Sequence, residues 1–484
     1  MESSKIPAGD ITTLLDITSR DRQDNDFFPL TTQDTWFTRD PDRRHIPATP
    51  FVADFPFRGP ASFGQRFTFD LGSMPCGDVL FGAALQIRLS HWLDTSTQLL
   101  VQKGALTYKE AREAWFYCNS LGTAIIQKAE LELNGSTVEE IDGDFIHTFS
   151  TLFSDLNTQF GVAADHLGRV SVARLRAWDP SRIYPVEDGV IHCILPFFFM
   201  RNRLREALPM IAIAEGSVKI HVVLRPFEDC LRQARGFRDD CTSTPLSKAI
   251  TFQKATFLPA TLYETINTVK EIPQFQEVRL LTFGSLLSGK IREAMLRNTF
   301  EMLHRNVQTF TFSEPLKYVV AKNTTSDTVK IQLPLEANNP LEEIIWFIRR
   351  TDVASNNEWT NYSSVLEKDY DATFNPPAPL LVSAVIQVNG ITLCDAEEIY
   401  YRDLIARHHH GGIIPFRSFI YGYPFARHPG EHQPSGTLNA SRVQNLRLVL
   451  EVKNPGAAWE VKVFCCALNW LRFQNGIASP VFQN

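Results

Sequence analysis

Two distant segments of the chain share one strand-and-turn pattern. Residues 129–135 (AELELNG) alternate apolar and polar side chains and end in Asn134-Gly135, and residues 384–390 (AVIQVNG) do the same. A period of two is typical of a half-buried strand, and Asn-Gly is the strongest short signal for a tight hairpin turn. Gly135 and Gly390 are 255 residues apart, which is the spacing of a duplicated domain and too long for a solenoid repeat. The chain is therefore predicted to contain two β units.

Other landmarks recur in the same order in both halves. A proline-aromatic segment at 195–199 (LPFFF) precedes an alternating segment at 218–222, and a similar segment at 423–425 (YPF) precedes one at 446–450. Alternation also marks two earlier segments, with apolar residues at Phe67, Phe69, Leu71, Leu85, Ile87 and Leu89. Each half is thus expected to run through a strand, a hairpin, a long excursion, a proline-aromatic strand, a loop and a final strand.

Many short strands separated by turn signals favour an antiparallel sandwich or jelly roll in each half over a parallel sheet with crossover helices. Helical patterns are few by comparison. Thr107 and Glu110 form a capping box that predicts one short helix, and apolar spacing predicts a second helix over residues 291–304. The fold class is therefore predicted to be all-β, with a few short helices in loops.

These patterns divide the chain into four segments. Residues 1–60 are rich in Asp, Arg, Thr and Pro and show little periodicity, so they are interpreted as an extended arm. The arm is expected to dock Phe51, Phe55 and Phe57 onto a neighbour. The remaining segments are a first β unit at 61–226, a linker with the start of the second unit at 227–306, and a second β unit at 307–484.

Charge and cysteine content argue against several function classes. Lys plus Arg number 48 and Asp plus Glu number 54, a net charge of −6, so direct sequence-specific binding of nucleic acid is not expected. The longest apolar stretch, residues 190–200, is far shorter than the roughly 18 residues that a membrane helix needs. The eight cysteines show no CxxC spacing and the N-terminus opens no secretory signal, so we expect reduced thiols in a cytosolic product.

Three segments carry a family resemblance, in order along the chain. They are residues 195–225, which include LPFFFMR and VKIHVVLR, residues 339–348 (NPLEEIIWFI), and residues 433–442 (QPSGTLNASR). On these segments the chain resembles the major capsid proteins of nucleocytoplasmic large DNA viruses, the group that contains iridoviruses and phycodnaviruses. The matches fall between about residues 60 and 472, so the resemblance covers most of the chain.

The resemblance implies a fold and a function. The fold would be a double jelly roll, two tandem eight-stranded antiparallel jelly rolls. The protein would be a structural component of the virion, made and assembled in the host cytoplasm, whose homotrimeric pseudo-hexagonal capsomers tile an icosahedral shell. Its expected partners are further copies of itself, minor capsid proteins and penton proteins, and it would not be an enzyme. No catalytic, cofactor-binding or metal-binding residue is predicted.

Within a shell, the longer excursion of the first unit has an expected place. This excursion covers 74 residues from Gly135 to Pro209, whereas the excursion of the second unit covers 44 residues from Gly390 to Pro434. Additional loop length is inexpensive on a surface where nothing packs. We therefore expect residues 143–190 to protrude from the outer surface, around a satellite core formed by Phe145, Phe149, Phe153, Phe160, Trp178 and Tyr184.

Two alternative functions remain open. Residues 284–290 (GSLLSGK) have the spacing of a phosphate-binding loop, which would suggest a nucleotide-binding enzyme. Ile291 follows where a Ser or Thr hydroxyl would hold magnesium, so a turn bounded by glycines is the favoured interpretation. A carbohydrate-binding jelly roll is the other alternative, because such a protein would carry aromatic and acidic side chains on one set of loops.

Two further motifs have structural interpretations. His408-His409-His410 would suit zinc or nickel only if neighbouring imidazoles converged, and no spaced partner accompanies them, so an exposed loop is expected. Cys465-Cys466 lies in a strand-like run, where successive side chains point to opposite faces of a sheet. These two cysteines are therefore expected to pack in the core.

Overall fold

A computed structural model describes most of the chain. The described residues are 48–90, 115–153, 189–201, 206–235, 251–253, 272–297, 299–314, 328–366, 376–410, 418–431 and 433–482. The capping box at Thr107 and the stretch from 1 to 47 lie outside these ranges. Strands dominate what is described, as the alternating patterns predicted.

The strands of the first half are β1 Ala48–Pro56, β2 Arg66–Asp70, β3 Val79–Leu89, β4 Trp115–Tyr117, β5 Ile126–Leu133, β6 Ser136–Ile141, β7 Gly189–Ile194, β8 Val218–Leu224, β9 Leu231–Arg235, β10 Thr251–Gln253 and β11 Glu277–Leu287. Those of the second half are β12 Phe300–Glu314, β13 Thr328–Pro334, β14 Pro340–Arg350, β15 Leu381–Val388, β16 Ile391–Glu397, β17 Ile420–Pro424, β18 Leu438–Asn439, β19 Leu446–Lys453, β20 Trp459–Gln474 and β21 Ile477–Pro480.

The helices are short. They are α1 Leu121–Ala124, α2 Gly143–Leu152, α3 Phe198–Arg201, α4 Phe227–Cys230, α5 Gly289–Arg297 and α6 Ala406–His410. A π-helical segment, Tyr400–Ile405, leads into α6, and 3-10 turns occupy Leu71–Ser73, Met210–Ile213, Thr351–Asn356 and Ala440–Arg442.

Each half forms two four-stranded antiparallel sheets with the same strand order. The first barrel consists of the sheets β1-β11-β3-β7 and β2-β8-β5-β6. The second barrel consists of β12-β20-β14-β17 and β13-β19-β15-β16, with β18 and β21 added at its margins. Eight strands in this order make each barrel a jelly roll, so the predicted fold, two tandem eight-stranded jelly rolls, is confirmed. Strands β10, β9 and β4 form a separate small sheet.

The two hairpins that the sequence singled out occupy equivalent places. Asn134 and Gly135 join β5 to β6 with φ of 52° and 81°, and Asn389 and Gly390 join β15 to β16 with φ of 50° and 81°. These left-handed conformations are the ones that Asn and Gly tolerate best. Both hairpins carry a bulge at the same step, so each residue of one corresponds to the residue 255 positions later in the other.

The first barrel extends beyond the predicted segment in both directions. β1 begins at Ala48 and Phe55 is buried in the chain's own core, so the prediction that Phe55 docks onto a neighbour is wrong. Phe51 and Phe57 also pack against that core. β11 pairs with β3, although the sequence placed residues 277–287 in the segment assigned to a linker and the start of the second unit. Pairing across such a distance leaves no local pattern, which explains the misplacement.

Two local predictions are wrong in detail. The helix predicted over 291–304 is α5, which ends at Arg297, and β12 begins at Phe300 because its alternating residues pair with β20. The proline-aromatic segment predicted as a strand at 195–199 does not form one. Strand β7 ends before it, at Ile194, and Phe198 begins a short helix. Both segments contain apolar residues in short runs, and such runs do not by themselves distinguish a helix from a strand.

The expected satellite core is not formed by the residues that can be checked. Phe145, Phe149 and Phe153 lie in or next to α2, and Phe145 is buried against the second barrel. Phe160, Trp178 and Tyr184 lie outside the described residues. The segment 143–153 is therefore part of the contact between barrels.

Candidate functional site: the interface between the barrels

Helix α2 follows directly on the edge strand of the first barrel. Asp142 caps it, since one carboxylate oxygen accepts a hydrogen bond from the Phe145 N–H at 2.8 Å. Asp144 lies in the first turn, where the helix dipole favours negative charge. The Phe145 ring meets the Phe464 ring of the second barrel at a centroid distance of 5.3 Å. The helix thus presents two carboxylates and an aromatic ring to the other barrel.

The second barrel contributes two cations that bind these carboxylates. Arg349, at the end of β14, donates to Asp144 at 2.8 Å and to Glu460 at 2.6 Å. Lys462, on β20, donates from Nζ to Asp144 at 2.8 Å and also to Asp142. We refer to these five residues, Asp142, Asp144, Arg349, Glu460 and Lys462, as the Asp144 cluster.

Asp144, Arg349 and Lys462 stabilise one another's charged forms. Burial raises the pKa of the Asp144 carboxyl, but the charges of Arg349 and Lys462 outweigh burial and hold that pKa well below its usual range. Burial likewise lowers the pKa of Lys462, and the two aspartates outweigh it, so that the net direction is upward. Removing one member of such a buried set leaves a charge without compensation, which costs about 3–5 kcal/mol.

A second set of buried ion pairs lies where β6 packs beside β12. Arg305, on β12, donates from Nε to Glu342 at 2.6 Å and from Nη1 to Glu206 of the first barrel. Arg201 donates to Glu139 and to the Arg305 carbonyl oxygen at 2.9 Å. All five side chains are at most 8% exposed. Their fixed directions restrict how the barrels can be oriented.

Neutral contacts extend the interface beyond the ion pairs. The Asn357 side chain donates to the Glu228 and Leu231 carbonyl oxygens at 2.6 and 2.7 Å. The Trp359 indole N–H donates to the Asp229 carbonyl oxygen at 2.8 Å, and the Arg225 guanidinium lies 4.1 Å from the centroid of the same indole. The described contacts thus join the barrels at several separate points along their length.

No sequence motif singled out these charged residues. One signal was present: Glu342 and Glu343 interrupt the apolar strand β14, whose residues from 341 to 349 are all buried. Carboxylates are almost never fully buried unless they are paired. A charged residue inside an apolar strand therefore indicates a partner, although it does not say which.

The phosphate-loop motif does not form a loop. Gly284 to Leu287 continue strand β11, and the helix that follows starts at Gly289. A Cβ on Gly284 would lie 2.4 Å from the Cys76 carbonyl oxygen and 2.7 Å from that of Val79, so this glycine allows a close approach of backbones. The predicted turn at Gly284 is wrong, and no described feature here supports nucleotide binding.

The histidine run lies in a helix and not in a loop. His408 to His410 end α6, and the His410 ring is buried, with Nε2 2.8 Å from Glu343. The His410 ring also meets the Phe153 ring edge-on at 4.3 Å. The prediction of an exposed loop is therefore wrong, because His410 belongs to the packing between α2 and the second barrel.

The cysteine pair lies in β20 as expected, and both thiols are buried. Burial raises the pKa of the Cys465 thiol to about 12, so it is a poor ligand and nucleophile. Among the described residues, no group of three or more His, Cys, Asp or Glu side chains is placed to hold a metal ion. Within the same ranges, no helix is long and apolar enough to cross a membrane.

Comparisons with protein families match both halves of the chain. The family described as "Large eukaryotic DNA virus major capsid protein" matches residues 292–479, and the family described as "Major capsid protein N-terminus" matches residues 37–263. The major capsid protein of Phaeocystis pouchetii virus is 22% identical over 93% of this chain and 98% of its own length. That of Paramecium bursaria Chlorella virus 1 is 24% identical over 78% of this chain and 77% of its own length.

Solved structures agree on the fold. The PBCV-1 virus capsid protein superposes with a TM-score of 0.66 at 16% identity, covering 93% of this chain and all of the other. The Faustovirus major capsid protein superposes with a TM-score of 0.61 at 12% identity, covering 96% of this chain and 97% of the other. The double jelly roll is therefore shared over nearly the whole chain.

Proposed function

Because the chain belongs to the family of large eukaryotic DNA virus major capsid proteins, we propose that it is the structural subunit of a viral shell. Capsid proteins of this family are structural, and the proposed role is not enzymatic. In the proposed assembly, three copies associate into a homotrimer whose six barrels approximate a hexagon. Such pseudo-hexagonal capsomers tile a surface of an icosahedral shell.

One observation carries this proposal: the chain contains two barrels with the same strand order, joined by buried ion pairs. Two similar barrels in a defined relation give each chain two of the six corners of a hexagon. Directional ion pairs suit this role, because buried charges that must be matched disfavour other orientations of the barrels. A subunit of a shell has to hold its shape while its outer surfaces bind neighbours.

Exposed apolar side chains supply the surfaces for association. Ile391 and Leu393 on β16 are 68% and 47% exposed, and Ile399 and Leu404 just beyond are 52% and 60% exposed. An edge strand with exposed apolar residues is a template for pairing or packing with another chain. These residues support self-association through the outer edge of the second barrel.

Further partners belong to the same proposal. Capsomers would contact one another laterally, and minor capsid and penton proteins would bind where the hexagonal packing ends. The protein would then be a component of the virion, made and assembled in the host cytoplasm. Residues 1–47, which lie outside the described residues, are proposed to bridge neighbouring capsomers.

The test is the mass and shape of the purified protein. Light scattering at micromolar concentration is expected to give about three times the chain mass of 54.9 kDa, and negative-stain images are expected to show particles with a hexagonal outline. Deleting residues 1–47 is expected to leave three chains per particle, at the correspondingly lower mass, and to impair association of capsomers. A mass near that of one chain over the whole concentration range would contradict the proposal.

A further inference from the structure

The interface inside the chain uses a different edge of each barrel. The first barrel contributes β6 and α2, and the second contributes β12 with parts of β14 and β20. Because the strand order is the same, each barrel possesses both kinds of edge. The equivalents that this interface does not use are the β16 edge of the second barrel and the β1 edge of the first.

The β16 edge exposes an apolar side chain at a position that is buried on the equivalent β6 edge. Val138 of β6 corresponds to Leu393 of β16, 255 positions later, and each is the residue left out of the pairing at the bulge. Val138 is 9% exposed, whereas Leu393 is 47% exposed. The same position is therefore covered in one barrel and open in the other.

The sheets that contain β3 and β14 can be aligned in the same way. The pairing of β3 with β11 leaves out Phe81, and the pairing of β14 with β20 leaves out Glu342. Arg88 and Arg349 each follow seven residues after that bulge, so they are equivalent.

By this alignment, the first barrel carries a set of residues equivalent to those that the second barrel contributes to the Asp144 cluster. Both arginines pair in register with a glutamate, and a second cation stands two residues beyond each glutamate. The first barrel's set, which we call the Arg279 triplet, is Arg88, Glu277 and Arg279. It corresponds to Arg349, Glu460 and Lys462 of the second barrel.

The two sets differ in exposure. The side chains of Arg349 and Lys462 are 7% and 12% exposed, whereas those of Arg88 and Arg279 are 52% and 28% exposed. Arg279 pairs with Asp54 at 2.6 Å and with Glu277, so it is held in place at the surface. The Arg279 triplet is thus held in place by its own ion pairs. It is solvent-exposed on the surface whose equivalent in the second barrel is covered by α2.

The β1 edge beside this triplet is open as well. The Phe57 N–H donates to the Val278 carbonyl oxygen at 2.9 Å, and in the second barrel Phe312 pairs with Val461, the equivalent of Val278. Counting back five residues from each phenylalanine makes Val52 equivalent to Val307. Val52 is 60% exposed and Val307 is 9% exposed.

The acid that would complete the Arg279 triplet lies at the end of β16. Asp142 forms an ion pair with Lys462, and the correspondence between the two hairpins makes Glu397 its equivalent. Glu397 is exposed, and within the described ranges no side chain forms an ion pair with it. Its charge complements Arg279 as that of Asp142 complements Lys462.

We propose that the β16 edge of one copy docks on the β1–β11 edge of a second copy, with Glu397 of one beside Arg279 of the other. This docking rests on the proposed self-assembly and identifies the two surfaces that would form the contact between copies. The contact is head-to-tail, so one edge of each copy is a donor and the other a receiver, and three copies close a ring. In that ring, contacts between barrels alternate between those within a chain and those between chains.

The test compares charge reversals by light scattering across a dilution series. Glu397→Arg and Arg279→Glu are each expected to raise the concentration for half-assembly about 10- to 100-fold, because like charges then face each other. The double variant is expected to recover assembly to within about threefold of wild type. Arg447→Glu is the control, since Arg447 is exposed on the inner strand β19 and lies on neither edge.

The outcomes separate this inference from the proposed function. A wild-type protein that stays monomeric overturns both. A wild type that assembles, with single variants that behave like Arg447→Glu or a double variant that shows no recovery, overturns the docking surface alone. Circular dichroism melting checks that each variant folds, and Glu397→Gln, expected to weaken assembly less than Glu397→Arg, replaces the reversal if the latter does not fold.

Discussion

The β6 edge and the β16 edge have the same backbone and different surroundings. Both follow an Asn-Gly turn, both carry a bulge at the same step, and each leads into a helical segment. Glu139 on β6 is buried with Arg201, whereas the equivalent residue on β16 is Cys394, which is only partly buried. The two edges therefore share a backbone, but the buried ion pair formed by Glu139 has no counterpart at the equivalent position of β16.

This comparison separates what holds a barrel together from what joins barrels. Alternating apolar residues form both barrels, and equivalent core positions such as Leu131 and Ile386 are both fully buried. Buried ion pairs concentrate between barrels, where they fix orientation. Substitutions at equivalent positions should therefore have unequal effects on stability.

The largest difference is expected between the two equivalent arginines. Arg349→Met leaves Asp144 and Glu460 without their main partner in a buried site and should lower the free energy of unfolding by about 3–5 kcal/mol. Arg88→Met removes an exposed charge and should cost less than about 1 kcal/mol. Urea unfolding of the two variants gives the comparison, and equal losses would show that the Asp144 cluster is not the stronger contact.

Helix α2 requires a glycine at its first position. A Cβ on Gly143 would lie 2.5 Å from the carbonyl oxygens of Thr123 and Ile126, so Gly143→Ala should cost about 1–3 kcal/mol through overpacking. Glu398 is the equivalent residue in the second barrel, where a long side chain pairs with Arg402 at 2.7 Å. Glu398→Ala should cost less, and thermal unfolding that ranks the two variants the other way would contradict this account.

His304 makes the interface sensitive to acid. Burial, with a smaller contribution from the charge of Arg201, lowers the pKa of this imidazole to about 3. Between pH 6.5 and 3 the unfolded chain binds a proton here and the folded chain does not, so stability falls as the pH falls, by about 1.4 kcal/mol per pH unit.

Replacing this histidine should remove that part of the pH dependence. The free energy of unfolding of His304→Gln, measured by urea at pH 7, 6 and 5, should decline less steeply below pH 6.5 than that of the wild type. The equivalent residue of the first barrel is Thr49, which is exposed, so Thr49→Gln serves as the matched control. An unchanged slope in His304→Gln would mean that this imidazole is protonated in the folded protein.

The smallest difference is expected between the two turn asparagines. Asn134 accepts a hydrogen bond from the Ser217 N–H and donates one to the Ala478 carbonyl oxygen of the second barrel. Asn389 accepts hydrogen bonds from two N–H groups of its own barrel. Asn134→Ala should therefore cost about 0.5–1.5 kcal/mol more than Asn389→Ala, as measured by chemical unfolding. A larger loss for Asn389→Ala would contradict this assignment.

Local patterns predicted the local structure well. The alternation at 129–133 and 384–388 placed β5 and β15, and the Asn-Gly pairs placed both turns, because those preferences arise from residues next to one another. The family resemblance, carried by three segments in order, is confirmed by the family matches and by the shared double jelly roll. The fold class was accordingly accessible from the sequence.

The charged interface was not accessible in the same way. Asp144, Arg349 and Lys462 are more than 100 residues apart along the chain and meet only after both barrels have formed. The same holds for β11, whose partner strand β3 lies about 190 residues earlier. A sequence pattern reports the face on which a residue lies, but not which distant face will cover it.

Neighbouring residues encode strands and turns, so the two β units and their hairpins could be predicted from the sequence, and three ordered segments carried the resemblance to viral major capsid proteins. The tertiary structure alone decided which edge of each barrel is covered. Closing a barrel and docking it against another brings Arg349 out of water onto Asp144, while the equivalent Arg88 remains half exposed. Burial turns one arginine into a contact that joins the barrels and leaves its equivalent available for a neighbour, since the strength of a charge pair depends on the water removed around it.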